Sequence, residues 1–355
     1  MTTASETKPS VKRWFGSGAL IAMIIFIAGR LALEPARSVP QFDDGGMDPY
    51  GAVEKFRLRK STQPLEIAAF GSSVTLWGML SDVVAKEMDI DLAKSIALGV
   101  AGGTPFDMWT MVERNQDRFA NLKIAILEVN PMIFHQTLEG DARVDYNLCQ
   151  RATLAERLSI NEPHERAVLA AEWFLPTQSV RRSLRSLFLN VADLPPGNSI
   201  YPISDKRVFP SAGWTVDPNS ATPHSLRTTL KPEVAARRLV GKWIVSELQE
   251  ASMRKLIQWM KEHHVLVVLH QFPVHHDVVT EIQKNPAHVK SYAEYTKFVN
   301  SLGIPPEAIF QHLEITDCGV SKEGLRDHTH LNQLGATQYC TNLAGKIKGL
   351  QSASE

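Results

Sequence analysis

The sequence has little that is extreme. Its 38 Lys and Arg residues balance 38 Asp and Glu residues, so there is no net charge. Nucleic-acid backbones are held by clustered, uncompensated cations, and the composition supplies no excess that would call for such a partner. Only three cysteines occur in 355 residues (Cys149, Cys318 and Cys340), which excludes a small disulfide-stapled architecture. Cys318 and Cys340 are the only pair close in sequence, and the three are read as unpaired small hydrophobes. Collagen-like and disordered states are also excluded, because apolar residues make up 44% of the chain and charged residues 21%. Two nucleotide fingerprints are missing: there is no Gly-x-Gly-x-x-Gly and no Gly-Lys followed by Ser or Thr. Six histidines between His263 and His288 (His263, His264, His270, His275, His276, His288) show no regular ligand spacing. They are assigned to the surface or core, and no metal or other cofactor is expected.

The start of the chain departs from an ordinary soluble protein. Lys8, Lys12 and Arg13 precede an uncharged run from Trp14 to Gly29, which Leu31–Leu33 continue beyond Arg30. Residues 14–33 would span about 30 Å as a helix, the thickness of a bilayer core. Arg30 lies near the far end, where its stem can carry the charge to the interface. The basic flank predicts a cytoplasmic N-terminus over 1–13, a transmembrane anchor over 14–33, and the remainder on the exported, periplasmic or extracytoplasmic side. Two readings compete. A cleaved signal peptide shares the basic start, although Ile27-Ala28-Gly29 is a poor cleavage site. A buried core helix would also be apolar. No second run of this length follows. Residues 34–50, rich in Pro, Gly and Asp, read as a linker.

From residue 51 to 355 a single α/β domain is expected. Short apolar runs at Leu65–Phe70, Ser95–Val100, Lys123–Val129, Val265–His270 and Ala308–Ile315 read as strands. Helical spacing marks Val74–Met88, Glu247–His264, Tyr292–Leu302 and Leu334–Lys348. Thr104 and Pro105 mark the start of another helix. Apolar strands alternating with helices predict a doubly wound parallel sheet with helices on both faces. The alternation fails over about 134–241, where Pro and Gly recur, so a long insertion after the third strand is expected. Within it, Val180–Asn190 combines Arg181, Arg182 and Arg185 with Leu184, Leu187 and Phe188. A solvated helix face is preferred there over a membrane-surface helix.

The crevice of such a sheet lies at the carboxyl ends of its strands. Four segments converge there: Gly71-Ser72-Ser73 after the first strand, Gly99 to Gly103 after the second, Glu128-Val129-Asn130-Pro131 after the third, and Asp327-His328-Thr329-His330-Leu331-Asn332 before the last helix. Each has an ordinary explanation alone, as an N-cap, a turn or a loop. Together they fit acyl transfer. A Ser hydroxyl needs a base, which His330 supplies, and Asp327 can hold that ring in one tautomer. Oxyanion donors would be the backbone N–H groups of Ser73 and Gly102 and the amide of Asn130. The Gly-x-Ser-x-Gly elbow is absent, because Thr75 stands where its last Gly would be.

These four blocks resemble those of the SGNH (GDSL-type) hydrolase superfamily. Ser73 matches its nucleophile, Gly102 its second-block Gly, Asn130 its third-block Asn, and Asp327 with His330 its Asp-x-x-His block. The resemblance covers about 66–130 and 265–348. It implies a flavodoxin-like sandwich and esterase, lipase or O-acyltransferase activity. Ser72 stands in place of the usual Asp, which leaves Ser72 as a competing hydroxyl. Glu128 and Pro131 replace the residues that usually flank the third-block Asn. The expected function is a membrane-tethered, exported Ser-dependent acyl esterase or O-acyltransferase with an acylated envelope glycan or lipid as substrate. The alternative is a non-catalytic carbohydrate-binding or assembly partner of a membrane acyltransferase complex.

Overall fold

A computed structural model describes residues 63–100, 102–135, 152–160, 163–174 and 231–354, with scattered positions between 20 and 58. Five strands form one all-parallel sheet: β1 (Ile67–Gly71), β2 (Ser95–Gly99), β3 (Ile124–Glu128), β4 (Leu266–Gln271) and β5 (Ile309–Gln311). Their spatial order is β2-β1-β3-β4-β5, the order of flavodoxin-type doubly wound sheets. The helices are α1 (Ser73–Gly78), α2 (Ser81–Glu87), α3 (Pro105–Arg114), α4 (Pro131–Phe134), α5 (Leu154–Leu158), α6 (Pro163–Phe174), α7 (Pro232–Val240), α8 (Glu247–Glu262), α9 (His276–Lys284), α10 (Pro286–Asn300) and α11 (Gln333–Ser354).

Period-two alternation sends successive strand residues to opposite faces, and here both faces are apolar. Ala68, Phe70, Ala125, Leu127, Val267 and Leu269 pack with Met111 of α3, Leu256 of α8 and Val299 of α10. Ile67, Ala69, Ile124, Ile126 and Val268 pack with Val84 of α2 and with Tyr339, Leu343 and Ile347 of α11. The central strands β1, β3 and β4 are thus dry on both sides, whereas the edge strand β5 is half-buried.

The apolar pattern over Val74–Met88 conceals a break. Met79 and Leu80 are extended and buried, so two short helices replace the one expected. At the preceding position, a Cβ on Gly78 would lie 2.7 Å from the Phe272 ring. Helix α9 was not expected from the sequence. It is capped by the His275 side chain, which accepts the Asp277 N–H. Between β3 and β4 the described elements are helices α4 to α8, with an antiparallel bridge between His135 and Val245. Buried Arg157 of α5 donates to the carbonyls of Ala152 and Leu169, tying α5 to α6. Ile160 and Leu169 meet Phe106 of α3 and Leu248 of α8. The Val180–Asn190 segment and Cys149 lie outside the described residues.

Among the described residues no helix is long and apolar enough to cross a membrane. Most of the expected anchor, 14–33, falls outside them. The positions described there are helical, and Leu20, Ile21, Met23, Ile24, Ile27 and Leu31 are exposed and do not join the core.

Gly99 ends β2 where the chain of α1 crosses it, and an added Cβ would lie 2.1 Å from the Leu76 backbone nitrogen. Gly345, in contrast, is an exposed residue of α11 with open space around it. Gly99→Ala is therefore expected to destabilise the fold by about 1–3 kcal/mol or more, as overpacking against backbone does. Gly345→Ala should stabilise it by about 0.5–1 kcal/mol. Denaturant titration of the two variants checks both signs.

Candidate functional site

The carboxyl edge of the sheet brings three distant residues together. β1 runs into a turn at Ser72, whose side chain accepts the Val74 N–H as the N-cap of α1. Ser73 follows as the first helical residue. Its Oγ lies 3.1 Å from Nε2 of His330. On the other side of that ring, Nδ1 is 2.9 Å from Oδ2 and 3.0 Å from Oδ1 of Asp327. Since a carboxylate only accepts, Nδ1 carries the proton in this contact and Nε2 is left to accept from Ser73.

The loop holding the base is built locally. Leu325 and Leu331 pair as an antiparallel bridge, and the Arg326 N–H donates to the His330 carbonyl at 2.8 Å. Asp327 Oδ1 accepts the N–H groups of Thr329 and His330, both at 2.9 Å. The chain therefore turns back on itself, and the carboxylate faces the ring three residues on. Asn332 then accepts the Gly335 N–H, capping the first turn of α11. Gly335 itself sits against Gly324, where a Cβ would meet the Gly324 carbonyl oxygen at 2.0 Å.

The competing hydroxyl is engaged elsewhere, and among the described residues the competing imidazole makes no hydrogen bond to either serine. Ser72 is buried and its Oγ donates to Glu128 Oε1 at 2.7 Å. His328 is buried, with its ring centre 5.7 Å from that of His275 and its carbonyl accepting the His275 N–H.

The three expected oxyanion donors leave adjacent strands. Ser73 follows β1, Gly102 lies beyond β2, and Asn130 lies beyond β3. Gly102 is exposed and has φ of 72°, a left-handed conformation that a side chain would strain. Asn130 caps α4 by accepting the Met132 N–H on Oδ1 at 2.9 Å. Among the described residues its NH₂ group has no protein partner.

Sequence reasoning did not assign Glu128. This carboxylate ends β3 fully buried and accepts four hydrogen bonds from the turn after β1. The visible signals were an acidic residue at the end of an apolar run and the paired departures from the resembled blocks at Ser72 and Glu128. Next to it in register on β4, His270 is also fully buried, and burial pushes its pKa down to about 3. Its Nδ1 lies 3.0 Å from the Tyr339 hydroxyl. Near the base loop, the Arg326 guanidinium lies over the Trp77 ring, 5.3 Å from its centre. Cys318 and Cys340 are buried free thiols. Among the described residues no three His, Cys, Asp or Glu side chains form a group able to hold a metal ion.

No protein-family model matches the chain, and neither does any curated protein.

Burial alone would raise the Asp327 pKa. The hydrogen bond and charge of His330, with the N–H groups of Thr329 and His330, outweigh it and hold the carboxyl at about 2, below its usual 3.8. A group with a lower pKa in the folded state stabilises the fold above its unfolded value and loses that contribution as pH falls through the folded one. Wild-type stability should therefore decline between pH 3.8 and about 2 more steeply than that of Asp327→Asn. Denaturation midpoints across that range test this, and parallel profiles would mean Asp327 is not held down.

Proposed function

We propose that this chain is a Ser-dependent acyl esterase or O-acyltransferase of the SGNH type. The observation that carries the reading is the continuous chain from Ser73 Oγ through His330 to Asp327, at 3.1 Å and 2.9 Å. Supporting it are the strand-end placement of Gly102 and Asn130 and the resemblance of the four sequence blocks.

In this mechanism Ser73 Oγ attacks the ester carbonyl while its proton passes to His330 Nε2. Asp327 stabilises the imidazolium and keeps the ring oriented. The backbone N–H groups of Ser73 and Gly102 and the Asn130 amide receive the oxyanion. His330 then returns the proton to the departing alkoxide, leaving an acyl-Ser73. An incoming hydroxyl next gives its proton to His330 and attacks the acyl carbonyl, and the proton returns to Ser73 as it leaves. Water as acceptor yields the free acid; a sugar hydroxyl yields a new ester.

The substrate is proposed to be an acylated glycan or lipid of the cell envelope. The basic-flanked apolar segment at 14–33 supports this, since a tether on the exported side places the enzyme where such substrates lie. A membrane acyltransferase that delivers acyl groups is the corresponding candidate partner.

Ser73→Ala and His330→Ala should each abolish nearly all hydrolysis of an acetylated chromogenic ester, because members of such a set act as a unit. Ser72→Ala and His328→Ala should retain substantial activity. A fluorophosphonate should label wild type at Ser73, with the site mapped by mass spectrometry. Labelling at Ser72, or activity surviving in Ser73→Ala, would overturn the nucleophile. No labelling at all would favour a binding protein over an enzyme.

Asn130→Ala should lower turnover by about 10²-fold, the low end of what loss of one oxyanion donor costs in a well-studied protease. Unchanged turnover, measured with the fold verified by thermal melting, would place the donor elsewhere.

A further inference from the structure

Glu128 is a charged residue in a dry place, and the proposed chemistry makes no use of it. A carboxylate at zero exposure is tolerated only where hydrogen bonds replace its water. Among the described residues, all four that it receives come from residues 72 and 75. Oε2 accepts the Ser72 N–H at 2.8 Å, the Thr75 N–H at 3.2 Å and the Thr75 hydroxyl at 2.6 Å. Oε1 accepts the Ser72 hydroxyl at 2.7 Å. The fit leaves no spare room, since a Cβ on Gly71 would lie 2.3 Å from Oε2 and 2.0 Å from Thr75 Oγ1.

The residues clamped in this way bracket Ser73. Ser72 precedes it and Thr75 follows by two, so both backbone approaches to the nucleophile are fixed from a different strand. Glu128 is also two residues before Asn130 on the exit of β3. One side chain thus links the turn that carries the hydroxyl to the strand end that carries the amide.

We propose that Glu128 is a positioning residue, holding Ser73 at its distance from His330 and in register with Asn130. This rests on the esterase reading above. The residue is buried and touches no substrate, so its effect falls on kcat and on the acylation rate, with KM little changed. Displacements on the order of 1 Å can cost about 10²-fold in rate.

The hydrogen-bond pattern also specifies the conservative variant. In Glu128→Gln the amide oxygen can take the Oε2 place and keep three bonds. The NH₂ then donates to Ser72 Oγ, a hydroxyl able to accept. Thr75→Val removes only the 2.6 Å bond at nearly constant volume.

The test uses the full chain, with fluorophosphonate labelling rates at Ser73 and ester kinetics measured well below each variant's melting temperature. Glu128→Ala should slow labelling and kcat about 10²-fold with KM within about threefold, whereas Glu128→Gln stays within about tenfold of wild type. If Glu128→Ala does not fold, Thr75→Val decides: about tenfold slower labelling supports the proposal, and a wild-type rate overturns it. Wild-type labelling in a folded Glu128→Ala also overturns it, because the clamp is then merely structural. A fall in Glu128→Gln as large as in Glu128→Ala overturns it too, since charge and not position would be responsible. Each of these outcomes leaves the esterase reading intact. Failure of wild type itself to label at Ser73 is the distinct result that removes the esterase reading and this role together.

Discussion

A parallel sheet with both faces buried confines polar chemistry to its ends. The central strands carry apolar side chains up and down, so no hydrophilic group can be presented from the middle of β1, β3 or β4 without losing its water. The carboxyl edge is where the chain leaves the sheet, and there the backbone must turn and its N–H groups need new partners. Ser72, Ser73, Gly102, Glu128 and Asn130 all occupy that edge. Their grouping follows from strand order: β2, β1 and β3 are neighbours, and their exits lie side by side.

The base arrives differently. Asp327 and His330 belong to one tight loop whose internal bonds need nothing from the sheet, and the Leu325–Leu331 bridge closes it. The edge holds the hydroxyl by long-range contacts across the sheet, whereas the loop holds the imidazole by contacts within six residues. The two halves differ in how they are built; they meet at the Ser73–His330 contact and where Arg326 lies over the Trp77 ring of α1.

Strands were readable in the sequence because doubly buried strands are short and apolar, and Gly or Asn-Pro ends β1, β2 and β3; β1 to β4 lie within two residues of their expected limits. β5 shrank to Ile309–Gln311 from Ala308–Ile315, as it is the sheet's edge strand and its residues are only half-buried. Periodicity could not show the interruption at Met79-Leu80, where both residues stay apolar and buried while the backbone leaves the helix. It also missed α9, whose start is His and Asp rather than an apolar repeat. For the site, Ser73, Asp327 and His330 were legible by type and spacing. Glu128 was not, because its partners Ser72 and Thr75 are more than fifty residues away and nothing local marks the carboxylate as bonded. A buried polar network is a property of the assembled edge, and no window of sequence contains it.

The contact of Gly335 with Gly324 joins α11 to the base loop backbone against backbone. The first turn of α11 rests on the backbone of the segment entering the base loop, with no side chain between them. The loop is bonded internally and the nucleophile turn is held from β3, while α11 itself packs on α1 and α2. Packing farther along that helix, at Leu343 and Ile347, therefore helps set where the base loop sits. In a family of related chains the separation could be retuned by repacking a helix about 33 Å long, with every reacting residue unchanged.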